Sequence, residues 1–151
     1  MSRKYYLAYG SNLDVDQMLR RCPDAVQIGA ATVEDYELLF RGNTRHFGVA
    51  TIEPRQGESV PVGIWSISER DERALDCYEG WPHLYEKQTF RVRVKGRLIS
   101  AMAYIMTPGR RIAPPSEAYL DTITQGYEDF GFELAPLISA AEDAERRAGA
   151  R

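Results

Sequence analysis

Between residues 89 and 95 apolar and polar positions alternate one by one. Phe90, Val92 and Val94 fall on one side of an extended chain and Arg91, Arg93 and Lys95 on the other, which predicts a half-buried strand. Gly96-Arg97 is placed to turn it back into a second strand over 98–106, an antiparallel hairpin. Residues 60–67 carry Val60, Val62, Ile64 and Ser66 on one side and Trp65 and Ile67 on the other; apolar groups on both sides predict a central strand. Upstream, 48–52 is a short β-type run, and Pro54 and Gly57 mark a turn after it. Val33, Leu38, Leu39 and Phe40 lie among polar residues over 27–40, a spacing that suits one strand or two better than a helix. Arg41 to His46 is a polar, glycine-containing loop. At the start of the chain, Tyr5-Tyr6-Leu7-Ala8-Tyr9 is β-prone and breaks at Gly10.

Helical spacing takes over at four places. Asp14 stands as an N-cap with Gln17 three residues on, Met18 and Leu19 supply an apolar face, and Pro23 stops the run. Ser68-Glu69-Arg70-Asp71 has the form of a capping box, with Ala74, Leu75 and Tyr78 on one face and Gly80 and Pro82 closing the helix. The prolines and glycine of 107–115 require a loop, after which Ser116 caps a helix to about Asp129 and Gly131 ends it. A last amphipathic helix covers 134–147, and 148–151 is expected to fray. Neither repeats nor low-complexity linkers interrupt the series, so 1–151 reads as a single domain. A strand-rich middle with inserted and appended helices predicts an α+β fold, a small mixed or antiparallel β-barrel-like sheet with flanking helices.

Composition narrows the trade of the molecule. With 44% hydrophobic and 11% aromatic residues, a chain of 151 can bury a sizeable core. A formal charge of −3 gives no overall attraction for nucleic acid or acidic membranes, and no apolar stretch approaches the roughly 20 residues of a membrane span. The expectation is a soluble cytoplasmic protein that handles a small molecule, without nucleic acid or membrane as partner; oligomeric state is not legible. Cys22 and Cys77 lack CxxC spacing and read as reduced structural thiols. His46 and His83 are too few and too separated to form a metal cluster, so no metal is expected.

Two places carry candidate chemistry. At the break after Gly10, backbone N–H groups cluster where a strand hands over to a helix, a geometry suited to an anion or a developing oxyanion, although an ordinary strand-to-helix turn has the same sequence features. The second is Glu79, framed by Cys77, Tyr78, Gly80, Trp81 and Pro82. A carboxylate at a helix C-terminus faces the negative end of the dipole, and aromatic burial further disfavours its charge. Both effects raise its pKa toward the range in which a carboxyl shuttles protons near neutrality. The alternative is an exposed helix-end glutamate.

Taken in order, Tyr9-Gly10-Ser11-Asn12-Leu13, Gly48-Val49-Ala50-Thr51-Ile52, Gly63-Ile64-Trp65, Leu75-Asp76 with Glu79-Gly80, Tyr85, Tyr104-Ile105-Met106, and Pro114-Pro115-Ser116 with Tyr119 resemble the gamma-glutamylcyclotransferase-like (AIG2-like) family over nearly the whole chain. The resemblance implies a small mixed barrel with helices. It also implies that the loop Tyr9, Gly10, Ser11, Asn12, Leu13 binds the gamma-glutamyl part of a substrate through backbone groups, with Glu79 as general acid/base and Tyr85 and Tyr119 as pocket residues. The segment between Gly80 and Tyr85 varies among such proteins, which leaves the leaving group open.

In the implied reaction the substrate's own alpha-amine attacks its gamma-carbonyl, closes a 5-oxoproline ring and expels an amine. No protein nucleophile, metal or cofactor is called for. Glutathione, gamma-glutamyl amino acids and gamma-glutamylamines share the portion the loop would hold. Three other readings are open to comparison. Ser11 as a hydrolase nucleophile lacks a GxSxG elbow and a histidine placed by sequence. The others are a gamma-glutamyl amidohydrolase using water and a non-catalytic member binding a small amide or carboxylate. A phosphate-binding loop is excluded, because no GKS or GKT follows the glycine.

Overall fold

The computed structural model describes residues 2–42 and 47–149. His46 and most of the polar loop expected over 41–46 lie outside the described residues. Five strands and four helices follow in the order β1 (Arg3–Ala8), α1 (Val15–Arg21), β2 (Val26–Gly42), β3 (Gly48–Ser68), α2 (Glu69–Glu79), β4 (Tyr85–Val94), β5 (Arg97–Met106), α3 (Glu117–Phe130) and α4 (Ala135–Gly149), with a 3-10 turn at Ser11–Leu13. The α+β expectation holds. The strands form one mixed sheet in the order β2-β3-β1-β5-β4, where β1 runs parallel to β5 and every other pairing is antiparallel. As its two apolar sides predict, β3 is internal, paired with β2 on one side and β1 on the other.

The barrel is looser than expected. Among the described residues no ladder joins β2 to β4, so the sheet rolls without closing. Side chains bridge the gap: the Tyr36 ring meets Phe90 edge-on at 5.3 Å, and Gln88 Nε2 donates to the Tyr36 hydroxyl at 3.2 Å. Rolling is driven by bulges, which add twist where one strand has more residues than its partner. One lies between Gln27 and Gly29. At the other, Glu34 pairs with Ser59 and Tyr36 with Pro54, so Asp35 alone faces residues 55–58. The turn expected at Pro54 and Gly57 is therefore a correction: it is a bulge within the single long strand β3. Asp35 adopts φ 60°, its carboxylate accepts from Gly57 N at 3.0 Å, and Gly57 takes φ 89°.

The β4–β5 hairpin forms, but its turn sits one residue earlier than predicted. Val94 pairs with Arg97, leaving Lys95 and Gly96 at φ 51° and 79° as the two-residue connection. Two positive φ values match the right-handed strand twist.

Helix boundaries follow their local signals. At α2 the capping box closes both ways, Asp71 N to Ser68 Oγ at 3.1 Å and Ser68 N to Asp71 Oδ2 at 3.2 Å. Ser116 caps α3 by accepting from Tyr119 N, and Gly80 and Gly131 end α2 and α3 in the left-handed region. At α1, Asp14 accepts from Gln17 N at 3.1 Å, while the Gln17 side chain reaches Thr122 instead of completing a box. One face was misread: Leu75 is buried, but Tyr78 is 45% exposed and belongs to the surface beside α1. The core draws on both faces of the sheet, Ile64 from one side of β3 and Trp65 from the other, and includes Leu7, Phe40, Ile52 and Tyr127. No helix of the described residues is long and apolar enough to cross a membrane.

Candidate active site

Where β1 ends, Gly10 (φ −130°, ψ −129°) leads into the Ser11–Leu13 turn. Its φ is open to any residue, and the demand for glycine is spatial: a Cβ here would stand 3.2 Å from Ala50 Cβ and 3.6 Å from the Tyr119 hydroxyl. Leu13 N donates to Gly10 O at 3.0 Å and Asp14 N to Ser11 O at 3.1 Å, closing the turn. Leu13 itself is 0% exposed, and burying such a side chain contributes roughly 1.5–3 kcal/mol. Its side chain packs behind the loop where Gly63 and Gly126 leave room.

The side chains of the turn are spent on holding it. Asn12 Nδ2 donates to the Tyr6 hydroxyl at 2.8 Å, Asn12 O accepts from Trp65 Nε1 at 3.1 Å, and Asn12 Oδ1 accepts from Arg21 Nη1. Ser11 Oγ and the Tyr78 hydroxyl share a hydrogen bond of 2.9 Å. The start of α1 is not the anion site that the sequence points to, because Asp14 accepts from Gln17 N and Asp129 Oδ2 from Val15 N. The amides left as candidates are those that open the 3-10 turn, because the first N–H groups of such a turn have no intrahelical acceptor.

Above the turn is a small pocket that opens to solvent. Tyr9, Gly10, Ser11, Asn12, Glu79, Tyr85 and Tyr119 line it together with Tyr6, Ala50 and Tyr104. Of the residues expected here, Leu13 is the exception, since its side chain lies in the core and its N–H is committed to Gly10. Four phenol hydroxyls fix the walls. Tyr9 donates to Tyr104 O at 2.5 Å, Tyr85 to Ala50 O at 2.6 Å and Tyr104 to Asp76 Oδ1 at 2.6 Å, while Tyr119 accepts from Ala50 N at 3.0 Å. Tyr85 and Tyr119 thus grip the two polar groups of one peptide residue, Ala50. Burial pushes all five pocket phenols well above their ordinary pKa, so they stay neutral. Tyr85→Phe is expected to cost about 1–3 kcal/mol, because it strips Ala50 O of its buried donor; urea denaturation at pH 7 measures this, and an unchanged midpoint would mean that water replaces the hydroxyl.

Glu79 is the last residue of α2. Gly80 at φ 69° donates to Cys77 O, and Trp81 N donates to Asp76 O at 3.0 Å, which ends the helix and holds Glu79 at the pocket wall. Burial pushes its carboxyl up to about 7, against the opposing pull of the Arg21 guanidinium. The direction agrees with the sequence reading; the cause is burial. A carboxyl that titrates near neutrality, in one pocket with the Ser11 and Asn12 turn, has the means to take up and return a proton.

Tyr6, Ala50 and Tyr104 were not identified as pocket residues from sequence. Their segments stood among the motifs, but nothing local distinguishes a pocket-facing tyrosine from a core one. The remaining candidates lie apart. Cys22 is buried, its thiol pushed up to about 12 by that burial, and Cys77 is exposed. His83 belongs to the turn after α2, where its N–H donates to Gly80 O. Among the described residues no group of three or more His, Cys, Asp or Glu is arranged to hold a metal.

Known proteins resemble this chain in sequence and in fold. A family model described as "Gamma-glutamyl cyclotransferase, AIG2-like" matches residues 6–126. A human protein named Gamma-glutamylcyclotransferase is 32% identical, covering 85% of this chain and 72% of its own length, and a mouse protein of the same name is 33% identical, covering 93% and 79%. A solved structure titled "Gamma-glutamyl cyclotransferase" superposes with a TM-score of 0.80 at 27% identity, over 95% of this chain and 87% of that one. With most of its length matched by the family model and by relatives that are enzymes, the chain belongs to the gamma-glutamyl cyclotransferase, AIG2-like family.

Proposed function

We propose that this protein, acting as one domain, converts a gamma-glutamyl amide into 5-oxoproline and a free amine. The observation that carries the reading is the Glu79 carboxyl, raised to about 7 in the same pocket as the Ser11–Leu13 turn. The substrate's alpha-amine forms a bond to its own gamma-carbonyl carbon and closes a five-membered ring. Glu79 takes the proton that the amine loses and delivers it to the departing nitrogen as the original C–N bond breaks. N–H groups of the turn are the donors for the oxygen that becomes negative in between, a contribution of a few kcal/mol in comparable sites. Holding amine and carbonyl in contact supplies roughly 7–11 kcal/mol more, so the protein needs little beyond a rigid cradle and one proton carrier. Glutathione, gamma-glutamyl amino acids and gamma-glutamylamines all carry the part that reacts. The direct test is a panel of these compounds, with 5-oxoproline as the product sought; a protein that binds them and releases nothing would be a binder instead.

Ser11 distinguishes ring closure from serine hydrolysis. Its Oγ is hydrogen-bonded to a phenol, Tyr78, where a serine nucleophile would have an imidazole. Ser11→Ala keeps the backbone N–H groups, so it is expected to retain activity within about 1–2 kcal/mol, or roughly 5- to 30-fold. Loss of several orders of magnitude, with glutamate in place of 5-oxoproline, would point to an acyl-enzyme. Glutamate with an active Ser11→Ala variant would point to water as the nucleophile. Acetylating the substrate's alpha-amine removes the nucleophile for cyclisation, and the acetylated compound is expected to be inert. Tyr85→Phe and Tyr119→Phe are expected to lower kcat/KM by loosening Ala50, and unchanged kinetics in both would reduce them to packing.

A further inference from the structure

Arg21 does not line the pocket, yet it touches both the turn and the residue that precedes Glu79. It lies in the last turn of α1, where an arginine ordinarily bonds the helix's own terminal carbonyls. Here its Nη1 donates to Asn12 Oδ1, and its guanidinium plane lies over the Tyr78 ring, 3.4 Å from the centroid. Asn12 passes the contact on to the Tyr6 hydroxyl at 2.8 Å, and Tyr78 passes it back to Ser11 Oγ at 2.9 Å. Two consecutive residues of the turn are therefore tied, through one arginine and one tyrosine, to the residue that precedes Glu79.

We infer that Arg21 is a positioning residue of this site: its clamp on Asn12 and Tyr78 sets the turn against the Glu79 carboxyl and keeps a positive charge beside that carboxyl. The inference rests on Glu79 as the proton carrier. It explains why Tyr78 can be 45% exposed and still useful, since its ring is the platform for the guanidinium. It also calls for arginine rather than lysine, because a planar fork can stack on a ring while donating from its edge and an ammonium cannot.

The groups around Glu79 leave the electrostatic role to Arg21. Tyr6 and Tyr9 from the first strand and its end, Tyr85 from β4, Tyr104 from β5 and Tyr119 from α3 are neutral phenols. On its own helix, Asp76 is bonded to Tyr104 and paired with Lys87 at 2.9 Å, and Glu72 is paired with Lys4 and Lys87. From α1 come Arg21 and the neutral Cys22 thiol. Arg21 is the cation among the described residues whose charge opposes the burial of Glu79.

The test compares the parent with Arg21→Gln, Arg21→Lys and Tyr78→Leu by three readings: the Glu79 midpoint from a carboxyl NMR titration of the free protein, the pH dependence of kcat/KM for 5-oxoproline release, and thermal melting. Arg21→Gln is expected to raise the Glu79 midpoint by about half to one pH unit, with the acid limb of kcat/KM moving equally, so that activity at pH 6 falls about three- to tenfold through ionisation alone. Arg21→Lys should keep the midpoint and lose about tenfold in kcat/KM at every pH, and Tyr78→Leu should lose a similar factor that does not multiply with it in the double variant. A merely structural arginine would lower the melting temperature and leave midpoint and limb in place, which overturns the inference. Full kcat/KM in Arg21→Lys overturns the clamp. Should the parent form no 5-oxoproline, the proposed reaction fails, while the NMR midpoints still decide whether Arg21 governs Glu79.

Discussion

Glu79→Gln is expected to be inactive and, at pH 8, more stable than the parent. The amide keeps the shape of the side chain but neither accepts the amine proton nor returns one to the leaving nitrogen. General acid-base groups typically contribute 10²- to 10⁴-fold, and one carboxyl serving both transfers places the loss at the upper end of that range. The stability gain follows from the same burial. In the folded protein the Glu79 carboxyl is raised from near 4.5 to about 7, so between those values the folded state holds a proton that the unfolded chain has released. Stability from this group is complete below about pH 4.5 and declines as pH rises through 7. By pH 8 the ionised carboxylate costs about 3 kcal/mol relative to its neutral form, a penalty the glutamine does not have. Urea denaturation of both proteins at pH 5 and pH 8 should show the gap opening toward pH 8. A glutamine variant that turns over normally, or a gap that ignores pH, would remove Glu79 from the role assigned to it.

Gly126→Ala is expected to destabilise the protein by about 1–3 kcal/mol, in a helix where the same change ordinarily stabilises by up to about 1 kcal/mol. Gly126 is buried in the middle of α3, and a Cβ there would stand 2.5 Å from Leu13 Cβ, 2.6 Å from Leu13 C and 2.7 Å from Asp14 N. Two of those three atoms are backbone of the Ser11–Leu13 turn and its cap, so no side-chain rotation relieves the contact. Either α3 or the turn must shift. Because α3 also bears Tyr119, which holds Ala50 N at 3.0 Å, a shift reaches the pocket from two sides. Thermal melting should fall by roughly 3–10 °C, and kcat/KM of the protein that remains folded should fall with it. Parental melting and kinetics would show that the turn does not depend on this packing.

Much of the architecture was legible because the signals for it are local. Ser68 and Asp71, Ser116, Gly80 and Gly131 bracket α2 and α3 through bonds spanning a few residues, and such bonds form in the same way whatever surrounds them. The alternation of Phe90, Val92 and Val94 with Arg91 and Arg93 carried a strand and its buried face together. Glu79 was conspicuous for its aromatic company, which is also a local property. The bulge at Asp35 was not legible, since a glycine and a proline mark a turn and a bulge alike, and only the partner strand decides which forms. The hairpin turn slipped by one residue for the same reason: Val94 pairs with Arg97 by choice of the whole ladder. The pocket belongs still more to the tertiary structure. Tyr9 bonds to a carbonyl 95 residues away, Tyr119 to an amide 69 away and Tyr78 to a serine 67 away. Sequence by itself marked Glu79 by its aromatic neighbours and Gly10 as the break between a strand and a helix, and at each it left an ordinary structural role open. That they share one pocket, with Tyr6, Ala50 and Tyr104 as its other walls and Arg21 behind it, was decided by the roll of the sheet, because burial and hydrogen bonding across such separations have no counterpart in neighbouring residues.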